Sequence, residues 1–126
     1  ILCVMKPRVL LPFRLLAPLV LSVAALPATA ARGVGDFEFT LAAGKVEEIC
    51  FKLEPPEAVQ WRFAADAPVD FNLHWHEGKA VHMPVRRDAT REDAGSFAAP
   101  HAEDYCLMWT ALAAPVRVSG RVERER

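Results

Sequence analysis

Beyond residue 35 the chain alternates between apolar and polar positions with a period of two. Phe37, Phe39 and Leu41 alternate with Glu38 and Thr40, Ile49, Phe51 and Leu53 with Glu48, Cys50 and Lys52, and Val59, Trp61 and Phe63 with Gln60 and Arg62. The cleanest run sets Val69, Phe71, Leu73 and Trp75 against Asp70, Asn72, His74 and His76. Tyr105, Leu107 and Trp109 alternate with Cys106, Met108 and Thr110, and Val116, Val118 and Val122 stand opposite Arg117, Ser119 and Arg121. Successive side chains of a strand point to opposite faces, so each run predicts a strand with one face toward a core. Turn-forming residues separate the runs at Ala43-Gly44, Pro55-Pro56, Ala67-Pro68, Glu77-Gly78, Ala94-Gly95, Pro100 and Ala114-Pro115. No segment sustains a helical period.

Seven or eight short strands at this spacing predict an all-β fold, a sandwich of two antiparallel sheets packed face to face, with a closed barrel as the alternative. Trp61, Trp75 and Trp109 fall on the apolar faces and are assigned to packing. The segment from Arg86 to Ser96, dense in charge and almost without large apolar residues, reads as a mobile loop. The charged tail Arg121–Arg126 reads as the end of an edge strand, where charge discourages further pairing.

The first thirty residues have a different texture. Lys6, Arg8 and Arg14 precede an apolar run from Leu15 to Leu26, and Ala28-Thr29-Ala30 follows it. Basic residues, a short apolar run and a small-x-small site make residues 1–30 a cleavable signal peptide. The run falls short of the roughly 20 residues that a membrane span needs. Met5, directly before the first lysine, is the expected start, which makes Ile1–Val4 an upstream extension. The expected product is a single domain over residues 31–126, periplasmic or secreted and without a membrane span. With 15 basic and 16 acidic residues, a net charge of −1, the chain lacks the basic excess of a dedicated nucleic-acid binder.

Export changes the meaning of the cysteines. Cys50 and Cys106 remain after cleavage, and an oxidising compartment favours a bridge between them. Closing a loop of that length is worth about 4 kcal/mol in the chain-entropy model. Two free thiols or a thiolate metal site are the competing readings. Without a C-x-x-C pair, a redox-active dithiol is not expected.

The order Gly44, then Ile49-Cys50-Phe51, then Val69-Asp70-Phe71-Asn72-Leu73, Gly95-Ser96-Phe97 and Asp104-Tyr105-Cys106-Leu107 resembles the GOLD (Golgi dynamics) domain, the lumenal β-sandwich of Golgi cargo receptors. The resemblance covers most of residues 36–123. It implies a β-sandwich, a disulfide at the positions of Cys50 and Cys106, and a binding or adaptor role without enzyme activity. The chain lacks the coiled coil and span of the cargo receptors, and so looks like a free-standing bacterial relative. The histidine segment is not part of that family's pattern.

That segment, His74-Trp75-His76-Glu77-Gly78-Lys79-Ala80-Val81-His82-Met83, carries the candidate chemistry. His74 and His76 share a face if it is extended. A loop of Glu77-Gly78 alone pairs His76 with Lys79 and His74 with Val81, bringing Met83 opposite Asn72 on the histidine face. A three-residue loop through Lys79 instead places His74 across from His82. Either way three donors gather. Imidazole with thioether suits copper, Cu(I) with methionine and Cu(II) with nitrogen. Met108 adds a second thioether, so the candidate ligands are His74, His76, His82, Met83 and Met108. His101 is given no role.

Glu77 beside His76 is a conceivable base for metal-bound water. There is, however, no H-E-x-x-H helix and no G-x-S-x-G elbow, and the chain reads as a non-enzyme. Two functions follow: an exported copper-binding protein, or a GOLD-like module that binds an envelope protein partner without metal.

Overall fold

The computed structural model describes residues 35–126. The proposed signal peptide, its cleavage site and the upstream extension lie outside the described residues. Six strands follow in order: β1 (Gly35–Leu41), β2 (Val46–Leu53), β3 (Ala58–Glu77), β4 (Ala80–Ala98), β5 (Glu103–Ala111) and β6 (Val116–Glu125). Among the described residues there is no helix, and so none long and apolar enough to cross a membrane.

All six strands join in one antiparallel sheet, ordered β1-β6-β3-β5-β2, with β4 on the other edge of β3. The curl of this sheet comes from β3. Its first half pairs with β6, from Ala58↔Glu125 to Ala65↔Val118, and its second half with β5, from Val69↔Ala111 to His74↔Cys106. Between them, around Pro68, the register against β4 shifts. Proline cannot donate to a ladder and is found where a strand is irregular. β4 has its own irregularity, where Ala89 takes a φ of 49° and donates its amide to the Asp70 carboxylate at 2.8 Å.

The curl brings β1 over β5, strands that share no ladder. The rings of Phe37 and Phe39 lie 5.0 and 5.4 Å from that of Trp109, and Phe63 and Phe71 complete the aromatic cluster around it. The inward residues are those of the period-two runs, among them Leu53, Val59, Leu73, Tyr105, Leu107, Val116 and Val118, all fully buried. Trp61 and Trp109 belong to this core, and Trp75 packs against its margin. Burying side chains of this size stabilises by roughly 1.5–3 kcal/mol each.

Four expectations are corrected here. The strands number six because Val59–Phe63 and Val69–His76 are parts of one long strand, continuous through Pro68. What was expected to be two stacked sheets is a single sheet strongly curled on itself. The segment Arg86–Ser96 is not a loop but most of β4. A free edge of β3 gives it a ladder, and its charges are used: Asp93 accepts from the Trp61 indole at 2.9 Å and from Arg87 at 3.2 Å, while Arg91 donates to the Asp66 carbonyl. Finally, the C-terminal strand is not an edge as far as Val122, where β6 lies between β1 and β3; beyond it Glu123–Glu125 pair with β3 alone among the described residues. Arg121 there is paired with Asp36 and Glu123.

Candidate metal centre

The outward face of β2, β5 and the second half of β3 is built row by row. Residues directly opposite on neighbouring strands share a face with Cβ atoms about 4.5–5.5 Å apart. The pairs Glu48↔Met108 and Met108↔Asn72 define one row, and Cys50↔Cys106 and Cys106↔His74 the next. Cys50 and Cys106 are joined in a disulfide with Cα atoms 4.1 Å apart, at the positions that the GOLD resemblance implied. Cys50 is exposed and Cys106 half-buried.

Asn72 and His74 are the two buried polar residues of the described chain, 6% and 4% exposed. Desolvation of this kind is tolerated only when the polar atoms are paired. His74 Nδ1 lies 2.8 Å from Asn72 Oδ1. A carbonyl oxygen only accepts, so Nδ1 carries the hydrogen and donates it, and the lone pair of the neutral ring stands on Nε2. Nε2 faces Glu48 Oε1 at 3.6 Å, longer than a hydrogen bond. Glu48 therefore reaches over β5 to present an acceptor to another acceptor. A cation between them satisfies both, and protonation of the ring is the alternative. Burial opposes that alternative: it pushes the His74 pKa below its ordinary value, against the pull of Glu48 and with the added repulsion of His76. A ligating histidine characteristically donates its other ring hydrogen to a fixed acceptor, the place that Asn72 occupies here.

His76 stands on the same face, its ring centroid 5.1 Å from that of His74 and edge-on to it. Two nitrogens each about 2 Å from one ion are at most about 4 Å apart, so a shared ion requires the two rings to turn a nitrogen toward each other. Met108 is half-buried, directly opposite both Asn72 and Glu48.

The hairpin takes neither register considered from the sequence. Glu77 pairs with Ala80 around a two-residue loop, Gly78-Lys79, in which Gly78 supplies the positive φ of 58°. His76 then pairs with Val81 and Trp75 with His82. His82 is thereby carried to the Trp75 face, where it stacks on the indole at 4.9 Å and bonds to Glu77 at 2.9 Å. It does not join His74. Between Leu73↔Val85 and Trp75↔His82 the ladder slips by one residue, so Met83 and Pro84 together oppose His74. A proline cannot complete that ladder position, which accounts for the bulge. Met83 is 41% exposed there. His101 lies edge-on to Trp75, away from the donor row.

The structure thus joins His74, His76 and Met108 on one face, sets Met83 at its border and removes His82. It adds Glu48 and the cysteines: carboxylate and sulfur atoms of Glu48, Cys50 and Cys106 lie within 4.8 Å of one another. Glu48 was visible in the sequence only as a member of the polar face of its own strand, two residues before Cys50.

The fold and this face define an all-β domain with a strongly curled antiparallel sheet and a donor row on its outer surface. No family model and no curated protein matches the chain. Among solved structures it is similar to a de novo designed double-stranded β-helix determined by solution NMR, with 18% identity and a TM-score of 0.42 over 70% of this chain and 97% of that one.

Proposed function

We propose that the chain is an exported, non-enzymatic protein that binds copper through His74 and His76, with Met108 beside them and Met83 at the border. The observation that carries this reading is the His74 imidazole, fixed by Asn72 with its free nitrogen aimed at a carboxylate that it cannot bond. Nitrogen donors favour Cu(II), and recruitment of Met108 favours Cu(I). The basic-apolar-small pattern of residues 1–30 supports export to the periplasm or beyond, a compartment in which the disulfide is stable. The same reading takes the curled sheet as GOLD-like, with β1 packed over β5 and the Cys50–Cys106 bridge in support.

Competition titration of the oxidised protein with Cu(I) and with Cu(II) tests the proposal. One copper should bind with sub-micromolar affinity, by the count of imidazole donors, and His74→Ala with His76→Ala should abolish it. Weak binding that survives the double substitution contradicts the reading.

A second reading, an envelope-protein interaction module, is favoured by Val81 and Met83, which are 51% and 41% exposed at the hairpin. Val81→Asp should then weaken capture of a reproducible envelope partner without changing copper affinity; unchanged capture sets this reading aside.

A further inference from the structure

We infer that the Cys50–Cys106 disulfide masks a second ligand set, and that its reduction opens a site for a thiophilic d10 cation, Zn(II) or Cu(I), held by both thiolates and His74. The inference rests on the preceding reading in one respect, the availability of His74 Nε2.

Three observations carry it. The ladder from Val46↔Thr110 to Leu53↔Glu103 sets Cys50 opposite Cys106 through eight residue pairs, so the sulfurs stay together when the bond between them opens. In a tetrahedral site two sulfurs at about 2.3 Å from one ion lie about 3.8 Å apart, a separation that facing side chains reach without moving the strands. His74 is the next residue along the same row, opposite Cys106. Glu48 lies within 4.8 Å of both sulfurs and 3.6 Å from His74 Nε2, so it links the two cysteines to an imidazole that stands outside their three-residue cluster and must turn toward it to bind. Two thiolates, an imidazole and a carboxylate form a donor set that zinc accepts, while Cu(I) takes the thiolates with imidazole or a thioether.

Cys50 is exposed, which gives a dithiol reductant access to its sulfur. One thiolate of the reductant attacks Cys50 Sγ, the bond to Cys106 breaks, and Cys106 leaves as a thiolate. The second thiol of the reductant then attacks the mixed disulfide and releases Cys50. Two electrons have passed to the protein, the reductant is left as its disulfide, and its two protons go to the cysteines, or to solvent once the cation is bound. The ion closes the same chain loop that the disulfide closed, so the cross-link is exchanged rather than lost.

The test compares the full chain, oxidised and reduced, under anaerobic conditions, with Zn(II) alone and Cu(I) alone as probes. Reduction should tighten binding of at least one ion by about 100-fold, as expected for two added thiolates, and that ion should protect both cysteines from alkylation. His74→Ala should weaken the reduced site while leaving both thiols titratable. Loss of zinc protection in Glu48→Gln, with copper protection retained, would assign the carboxylate to zinc alone. Equal affinity before and after reduction, or alkylation at the same rate with and without either ion, overturns the inference. If reduction loosens the sheet, recovery of the β-sheet circular dichroism on adding Zn(II) or Cu(I) supports it, and failure to recover with either refutes it. Failure of the oxidised protein to bind copper counts against the preceding proposal alone, whereas oxidised binding unchanged by reduction counts against this one alone.

Discussion

The two faces of β5 make opposite use of alternate residues. Tyr105, Leu107 and Trp109 point inward and are fully buried among other apolar groups, where shape decides the outcome. Cys106 and Met108 point outward into two adjacent rows that also hold His74 and Asn72, polar groups that are buried nonetheless. The inner face needs only apolar volume and tolerates many solutions. The outer face needs particular atoms at particular ladder positions, because a polar group without its partner costs roughly 1–3 kcal/mol when buried. One face stabilises the fold by volume, and the other holds particular polar atoms at fixed ladder positions.

The largest way to break the contrast is from within. Trp109→Ala removes the centre of the aromatic cluster and should cost about 3–5 kcal/mol of unfolding free energy, read from denaturant midpoints; a loss below about 1 kcal/mol would deny the cluster its central place. On the outer face, Asn72→Ala leaves the His74 Nδ1–H without its acceptor. It should cost about 1–3 kcal/mol and weaken copper binding 10- to 100-fold, roughly the measure of a lost orienting partner. Full copper affinity in that variant would mean that Asn72 does not orient the ring.

Proton linkage sharpens the comparison further. Burial lowers the pKa of His74 in the folded state, so the unfolded chain binds that proton more tightly. The stability contributed by the neutral ring is therefore complete above about pH 6.5, the unfolded value, and declines as pH falls through that value toward the lower folded one. Urea titrations of the metal-free, oxidised protein at about pH 8 and about pH 5.5 should show this loss, and His74→Gln should reduce it. An identical pH dependence in the variant would contradict the assignment. The smallest effect belongs to the other side of the hairpin: His82→Ala removes only a stack on Trp75 and an exposed bond to Glu77, with a cost of about 0.5–1.5 kcal/mol. Copper affinity should not change, and a large loss would return His82 to the site.

The contrast between faces also explains what the sequence reveals. Alternation identifies the inward residues of β1, β2, β5 and β6 one strand at a time, and the Cys50–Cys106 bridge agrees with the pairing expected for an exported chain with two cysteines. β4 is not legible, because its ladder is supplied by β3 and its charges are satisfied by Asp66, Trp61 and one another across the fold. The donor row is half legible. His74 and His76 share a face in any extended segment, but Met83–Pro84 changes the hairpin register and takes His82 away. Glu48 and Asn72 acquire their roles only from ladder register, a relation between strands that a single alternating run does not contain.

The central claim is that the outward imidazoles of β3 converge on one metal ion. Electron paramagnetic resonance of the oxidised protein loaded with one equivalent of Cu(II) tests it most directly. The account predicts nitrogen hyperfine structure from two imidazoles, lost when His74 and His76 are both replaced by alanine and retained in His82→Ala. A spectrum without imidazole nitrogen, or one unchanged by the double replacement, contradicts it.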